Sequence, residues 1–295
     1  MPSLHILESH TAKILGKPLR LQEYGVGIFK TIATKSALKK SIKKNLVLVN
    51  GEIATTATFI YGTEIITLLE DKNTKKHKKI VLSLEVVFED NYLAIINKPP
   101  GILVSGNSFK TIVNALEQNI TKSNLPDAVA PKPVHRLDYP TTGLLVIGKT
   151  SASIIALNKL FENKEITKTY IAVTIGKMKD SGSITEPIDG KKATSKYQII
   201  KTVISNRFQY LNWVELTPET GRKHQLRKHF LSIGNPILGD PTYFLKNLKL
   251  KGKGLYLHAY SLEFMHPFTN KKITFIKNPP FKFNSIFEGN KKSIV

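Results

Sequence analysis

The stretch 134-VHRLDYPTTGLLVIGKT-150 decides how the chain is read. It places one aspartate, Asp138, after His135 and Arg136, and ahead of a Tyr-Pro-Thr-Thr-Gly turn that feeds the apolar run LLVI. The 295-residue chain holds 44 Lys and Arg against 22 Asp and Glu. An acid beside a cleft in such a protein stays ionised when a cation pairs with it, which opposes the desolvation that would protonate it. Arg136 and the arginines of a later segment, Arg222 and Arg227, are candidate partners. The plainer alternative is that Asp138 only caps its turn, as Asp commonly does. Local sequence leaves both open.

The balance of charge, a formal +22, points to a polyanionic partner, because Lys and Arg that contact phosphates release condensed counterions. Charge does not tell RNA from DNA or from an acidic membrane, and a Lys-rich proteome is the competing explanation. There is no cysteine, which excludes disulfides, thiolate nucleophiles and Cys-containing zinc sites. The N-terminal segment has no long apolar core. No run approaches the ~20 apolar residues a membrane helix needs, so a cytoplasmic protein is expected.

Outward from the opening stretch, the clearest seam is 70-EDKNTKKHKKIVLSLE-85, with five lysines ahead of Ile80. It reads as a solvated linker over 71–84, between a small unit at 1–70 and a larger one at 85–290. In the small unit, Phe29 and Ile32 recur at helical spacing, as do Leu38 and Ile42, predicting two helices. Lys35, Lys39 and Lys43, with Lys40 and Lys44 alongside, put a basic stripe on the second. Then LVLV, Asn50-Gly51 and EIATT signal a hairpin. A solvated helix face is the ordinary reading of such a stripe; together with the hairpin and net charge it points to nucleic acid. In the larger unit, 86–88 and 93–96 flank a turn, and 168–176 and 208–217 alternate as strands. Residues 220–234 predict a helix capped near Thr220 and closing at Gly234. Strands dominate without regular βαβ alternation, so the expected fold is α+β with a largely antiparallel mixed sheet.

Several chemistries drop out. His224 and His229 are five apart and do not share a helical face as a zinc pair would, so no metal is expected. GxSxG, GxxxxGK[ST] and GxGxxG are all missing, which argues against a serine nucleophile, a nucleoside triphosphate or a dinucleotide cofactor.

Five blocks in order resemble the RluA family of RNA pseudouridine synthases. HRLDYPTTGLL is similar to that family's HRLD-x-x-[TS]-[ST]-G-L-L. EDNYLAIINKPPGILV, KTYIAVTIG, TGRKHQLRKHFLSIGNPILGDPTY and LYLHAYSLEFMHP resemble its other signatures, across residues 85–267. The small unit resembles the S4 RNA-binding module. Lys223 and Lys228 depart from the usual residues and add positive charge. The resemblance implies an isomerase that breaks the N1–C1′ bond of uridine and rejoins the base through C5, without cofactor or metal. It implies Asp138 as the catalytic carboxylate, either attacking sugar or base or taking the C2′ proton. Arg227 is implied as its partner and Tyr170 as the stacking residue. Arg136 would fill the space of a flipped nucleotide, a task that suits a planar guanidinium. His135, Lys98, Arg222 and His224 are weaker RNA-binding candidates, Lys98 as a support for the site or a contact to RNA. The expected partner is rRNA or tRNA, and a monomer is expected. An RNA-binding or ribosome-assembly factor without activity is the alternative; retention of Asp138, Tyr170 and Arg227 together favours the enzyme.

Overall fold

The computed structural model describes residues 4–32, 34–71 and 80–288. The N-terminal unit runs β1 (Leu4–Thr11), β2 (Leu19–Arg20), α1 (Leu21–Tyr24), α2 (Lys35–Lys43), β3 (Val47–Val49), β4 (Glu52–Ile53), β5 (Phe59–Ile60) and β6 (Ile65–Asp71). Its sheet has the order β1-β6-β3-β4, with β2 and β5 paired separately. The Thr34 hydroxyl accepts from the Ala37 N–H and starts α2, whose Leu38 and Ile42 are buried against Phe29, Val47 and Ile66. Asn50 and Gly51, with φ of 50° and 85°, make the expected hairpin turn between β3 and β4. The first predicted helix differs. Only Leu21–Tyr24 is helical, and Phe29 and Ile32 reach the core from turns, because Gly25 and Gly27 interrupt the periodic run.

The expected linker lies in part outside the described residues. Its described end, 80–84, is solvated only on one side: Val81 and Ser83 are exposed, while Ile80, Leu82 and Leu84 turn inward. Ile80 and Leu84 are buried, the Leu84 N–H donates to Asn119 Oδ1 at 2.9 Å, and Asn119 Nδ2 donates to the Leu82 carbonyl at 2.8 Å. Apolar residues at every second position turn this segment onto the larger unit.

That unit runs β7 (Glu85–Glu89), β8 (Leu93–Lys98), α3 (Ile112–Leu116), β9 (Ala128–Pro133), β10 (Thr142–Thr150), α4 (Ser151–Glu162), β11 (Thr167–Ile175), β12 (Ser181–Ile184), β13 (Ser195–Ser205), β14 (Gln209–Pro218), α5 (Gln225–Ser232), β15 (Leu257–Met265), β16 (Lys272–Ile276) and α6 (Phe281–Phe287). Its sheet has the order β12-β13-β14-β11-β15-β10-β8-β7, with β16 on β15 and β9 on β10. Pairing is antiparallel except between β10 and β15. The α+β class and the largely antiparallel mixed sheet are as expected.

Strand β10 explains the apolar run of the opening motif. All nine of its residues are buried, as a central strand covered on both faces requires. Gly143, two residues into the parallel contact, has a φ of +112°, and a Cβ there would stand 2.3 Å from the Ala259 carbonyl oxygen. Only glycine lets β15 come this close. At the other end Thr150 and Ser153 cap α4 reciprocally, which ends the strand and starts the helix.

The same contact holds His258. Its Nε2–H donates to the Lys277 carbonyl at 2.9 Å, leaving Nδ1 to accept from the Thr142 hydroxyl at 2.7 Å. Burial pushes the imidazole down from 6.5 to about 4; the Lys277 carbonyl opposes the shift and the Lys277 ammonium adds to it. The folded ring is neutral where an unfolded one takes a proton. Its contribution to stability is therefore complete above pH 6.5 and is lost as the pH falls from there through about 4. His258→Gln should flatten the acid side of a plot of melting temperature against pH. Parallel curves for variant and wild type would refute this.

Candidate active site

Asp138 sits between β9 and β10, in a turn closed by the Thr141 N–H on its carbonyl at 3.1 Å. The turn uses the backbone, so the side chain is free for other work. Oδ2 accepts from Arg227 Nη1 at 3.2 Å. Of the candidate partners, Arg227 on α5 makes the pair.

The turn is held from beneath by Lys98 at the end of β8. This ammonium is fully buried and donates to the carbonyls of Pro99, Tyr139 and Thr141 at 2.9, 3.2 and 2.8 Å. Burial pushes Lys98 down to about 8, and the charge of Asp138 works the other way. A side chain with no exposed surface does not touch RNA. Of the two roles the sequence left open for Lys98, support of the site is the one its position allows. His135 is likewise turned inward: its Nε2 accepts from the Val146 N–H at 3.0 Å, and its ring stacks on Phe161 at 4.5 Å. Burial pushes it down to about 3, with the Lys168 charge adding and the Arg136 backbone opposing, so this half-buried ring lines the cleft as a neutral group.

Helix α5 starts later than predicted. Thr220 does not cap it; its hydroxyl bonds Gln225 Oε1 at 2.7 Å, and the N-cap is His224 in the left-handed region, with a φ of 55°. The extra turn before the helix brings His224 Nε2 to 3.8 Å from Asp138 Oδ1, while its Nδ1 lies 3.0 Å from the Tyr243 hydroxyl. Burial lowers the His224 pKa, Asp138 opposes this, and Arg227, Lys223 and Lys228 add to it. Inside the helix, Gln225 Nε2 donates to the Thr194 carbonyl and Ser195 Oγ, both at 2.9 Å, which locks the first turn onto β13.

Tyr170 enters from β11. The register shifts between Thr169 and Tyr170 where β11 meets β15, and such a bulge re-aims the side chain beside it. Its ring packs against two of the core clusters. Burial, and then the negative charge of Asp138, push its phenol up from 10, so it is a neutral hydroxyl.

Asp138, Tyr170, His135, His224, Gln225 and Arg227 line one cleft of about 650 Å³, with Lys98 beneath it. Arg136, Arg222, Lys164 and Lys168 face it, with Glu162 and Glu219 as the opposing acids. Arg136 is exposed and makes no ion pair among the described residues. Arg222 is anchored by its Nε on the Lys192 carbonyl at 3.0 Å. The stripe on α2 lies apart from this cleft. Lys35 there is paired with Glu23, whereas Lys40, Lys43 and Lys44 are exposed and Lys39 is half-buried.

Two residues escaped the sequence reading. Asp240 is fully buried and takes Arg227 Nε and Nη2 at 2.7 and 2.8 Å, and Tyr243 places its ring 5.0 Å from the guanidinium carbon. Both belong to the block 220–243, and a second acid in so basic a chain was the available signal.

Residues 92–232 match the family described as RNA pseudouridylate synthase. The chain is 35% identical over 292 residues to the ribosomal large subunit pseudouridine synthase D of Buchnera aphidicola subsp. Schizaphis graminum, covering 88% of this chain and 90% of that one. The chain belongs to the RNA pseudouridine synthase family. It is an isomerase that acts on RNA. The dual-specificity RNA pseudouridine synthase RluA of Haemophilus influenzae is 33% identical over 209 residues, or 65% of this chain and 91% of that protein. Among solved structures, human RNA pseudouridylate synthase domain containing 1 shares the synthase fold. Its TM-score is 0.57 at 21% identity, over 70% of this chain and 87% of that one.

Proposed function

We propose that this pseudouridine synthase acts on uridines of structured ribosomal or transfer RNA, with Asp138 as its catalytic anion. The observation that carries the reading is the meeting of Asp138, Arg227 and Tyr170 in one basic cleft. A uridine stacked in a helix cannot reach a carboxylate in such a cleft, so the nucleotide is turned out of the RNA. Arg136, exposed at the cleft, fills the space left in the stack. Tyr170 then stacks on the base, and Asp138, aimed into the cleft by Arg227, starts the break of the N1–C1′ bond. The base turns and rejoins through C5, which then gives up its proton while N1 takes one, so that the product is an isomer of the substrate. Nothing is oxidised or added, and the residues of the cleft supply the chemistry. The named relatives are synthases of ribosomal large subunit RNA or of dual specificity, which supports rRNA ahead of tRNA.

The N-terminal unit, which we take as an S4-like module, grips the RNA outside the cleft through α2. Changing Lys40, Lys43 and Lys44 to Gln should weaken RNA binding and make the slope of log affinity against log salt shallower by about 2–3. An unchanged slope would remove α2 from the interface. We place the enzyme in the cytoplasm, acting as a monomer without a cofactor. No helix of the described residues is long and apolar enough to cross a membrane.

The substrate is tested by mapping pseudouridine across all RNA of a host lacking the gene, with and without the gene restored. A position that vanishes and returns names the target. A map that never changes, although the pure protein binds RNA, would favour the binding-factor alternative.

A further inference from the structure

The loop of residues 244–254 leaves the rim of the cleft and comes back to it. It starts at Tyr243, whose ring covers the Arg227 guanidinium and whose hydroxyl is bonded to His224. At its end the Gly254 carbonyl passes so close to Gly239 that a Cβ there would stand 2.0 Å from its oxygen, and the Tyr256 N–H donates to the Leu238 carbonyl at 3.0 Å. Between these anchors the sequence is FLKNLKLKGKG. Leu250 is buried and Leu248 packs on the core beside Phe283 and Phe287, while Lys246, Lys251 and Lys253 are exposed. Lys249 lays its ammonium 4.1 Å from the centre of the Phe244 ring. No acid occurs from residue 241 to 262, and none of these four lysines makes an ion pair among the described residues.

Two further cations hold this loop in shape from behind. Arg207, in the turn between β13 and β14, donates Nη2 to the Lys249 carbonyl at 3.0 Å. Lys282 of α6 donates Nζ to the carbonyls of Lys253 and Leu255 at 2.9 and 3.0 Å, and burial pushes this ammonium down to about 8. The backbone is thus fixed by cations spent inward, and the four outer lysines are left to something else. We propose that the loop is a second seat for RNA: Lys246, Lys249, Lys251 and Lys253 take the phosphates of the strand that runs on from the nucleotide held in the cleft. This rests on the reading of the cleft as the place where a uridine enters. Like charges held on one short loop repel, and a polyanion that displaces their counterions relieves the repulsion. Both ends of the loop are anchored at the rim, so its middle lies no more than about 18 Å from an anchor at full extension, within reach of nucleotides next to the target. An acidic bilayer would meet the same charges, but Leu248 and Leu250 are turned to the core and leave little apolar surface to enter it.

The experiment measures binding of rRNA extracted from a host lacking the gene, over a series of salt concentrations, and single-turnover pseudouridine formation at limiting RNA. Wild type is compared with a protein in which Lys246, Lys249, Lys251 and Lys253 are all changed to Gln, and with one in which all four are changed to Arg. The Gln protein should bind about tenfold more weakly or worse at physiological salt, with a slope of log affinity against log salt shallower by about 3. Its rate at limiting RNA should fall by the same factor as its affinity. The Arg protein should keep the wild-type slope and affinity, which separates charge from damage to the loop. If the full Gln set does not fold, Lys251→Gln with Lys253→Gln at the exposed tip takes its place, with a slope shallower by about 1.5. An unchanged slope in a folded Gln protein overturns the inference. So does a loss of rate far beyond the loss of affinity, which would mean that the loop acts by shaping Tyr243. Loss of binding to phosphatidylserine vesicles with RNA affinity kept would make the loop a membrane contact and overturn it too. Asp138→Asn run in parallel keeps the two readings apart: if it is active the reading of the site falls, and the loop is judged by its slope alone.

Discussion

An Asp138→Asn enzyme is expected to form pseudouridine about 10⁴-fold more slowly than wild type, or not measurably, while it folds normally and binds RNA at least as well. Each part of that expectation has its own cause. The rate falls because asparagine supplies neither a nucleophile nor a base at the one acid that Arg227 aims into the cleft. The fold persists because the Asp138 side chain is only partly buried, 19% exposed, and its loss leaves Arg227 still paired with Asp240. The turn is held by Lys98 through three backbone carbonyls, none of which depends on the Asp138 carboxylate. RNA affinity is maintained or improves because the substitution removes a negative charge from a surface that meets phosphates. Filter binding and single-turnover assays on the same preparation check it. A rate within about tenfold of wild type would remove Asp138 from the chemistry.

The second large effect is on stability. Arg227→Met strands Asp240, a fully buried carboxylate, with only two backbone N–H groups. Breaking a buried pair by removing one partner costs on the order of 3–5 kcal/mol. For a unit of this size that lowers the melting temperature by roughly 10 °C. Activity is lost as well, since nothing then orients Asp138. The double variant Arg227→Met with Asp240→Asn should recover most of the stability, because the uncompensated charge is gone and asparagine can still accept from the backbone. It should recover none of the activity. If the double variant melts no higher than Arg227→Met alone, the destabilisation comes from lost packing rather than from a stranded charge.

Where a fold feature is set by neighbours in sequence, it could be read from the sequence. The Asn50-Gly51 hairpin, the apolar stripe of α2 and the buried run of β10 each follow from local chemistry. The features that misled were set by distant partners. Phe29 and Ile32 have helical spacing but are buried from turns, because glycines at 25 and 27 weaken a helix that four residues cannot sustain. Ile80 to Leu84 follow a lysine run and looked solvated, yet Asn119, 35 residues from Leu84, binds that backbone. In the site, Asp138 and its partner arginine were visible through their motifs. The inward direction of Lys98 and His135 was not, since a basic residue beside a catalytic motif reads the same whether it faces RNA or three carbonyls. Asp240 was hidden for a similar reason: its importance lies in the bond it makes 13 residues back, and its spacing to Arg227 follows no helical or strand period.

The place of β15 also sets the order of events at synthesis. Asp138 leads into β10, and Tyr170 lies on β11, yet these strands do not touch: β15, nearly the last strand of the chain, lies between them. All three groups proposed for the chemistry are in the chain by residue 227, but the strand that brings their supports together begins only at Leu257. A chain truncated near residue 250 therefore carries Asp138, Tyr170 and Arg227 but lacks the strand that joins β10 to β11. A chain cut there is expected to be inactive on RNA, and activity to appear only once the sheet has closed through β15.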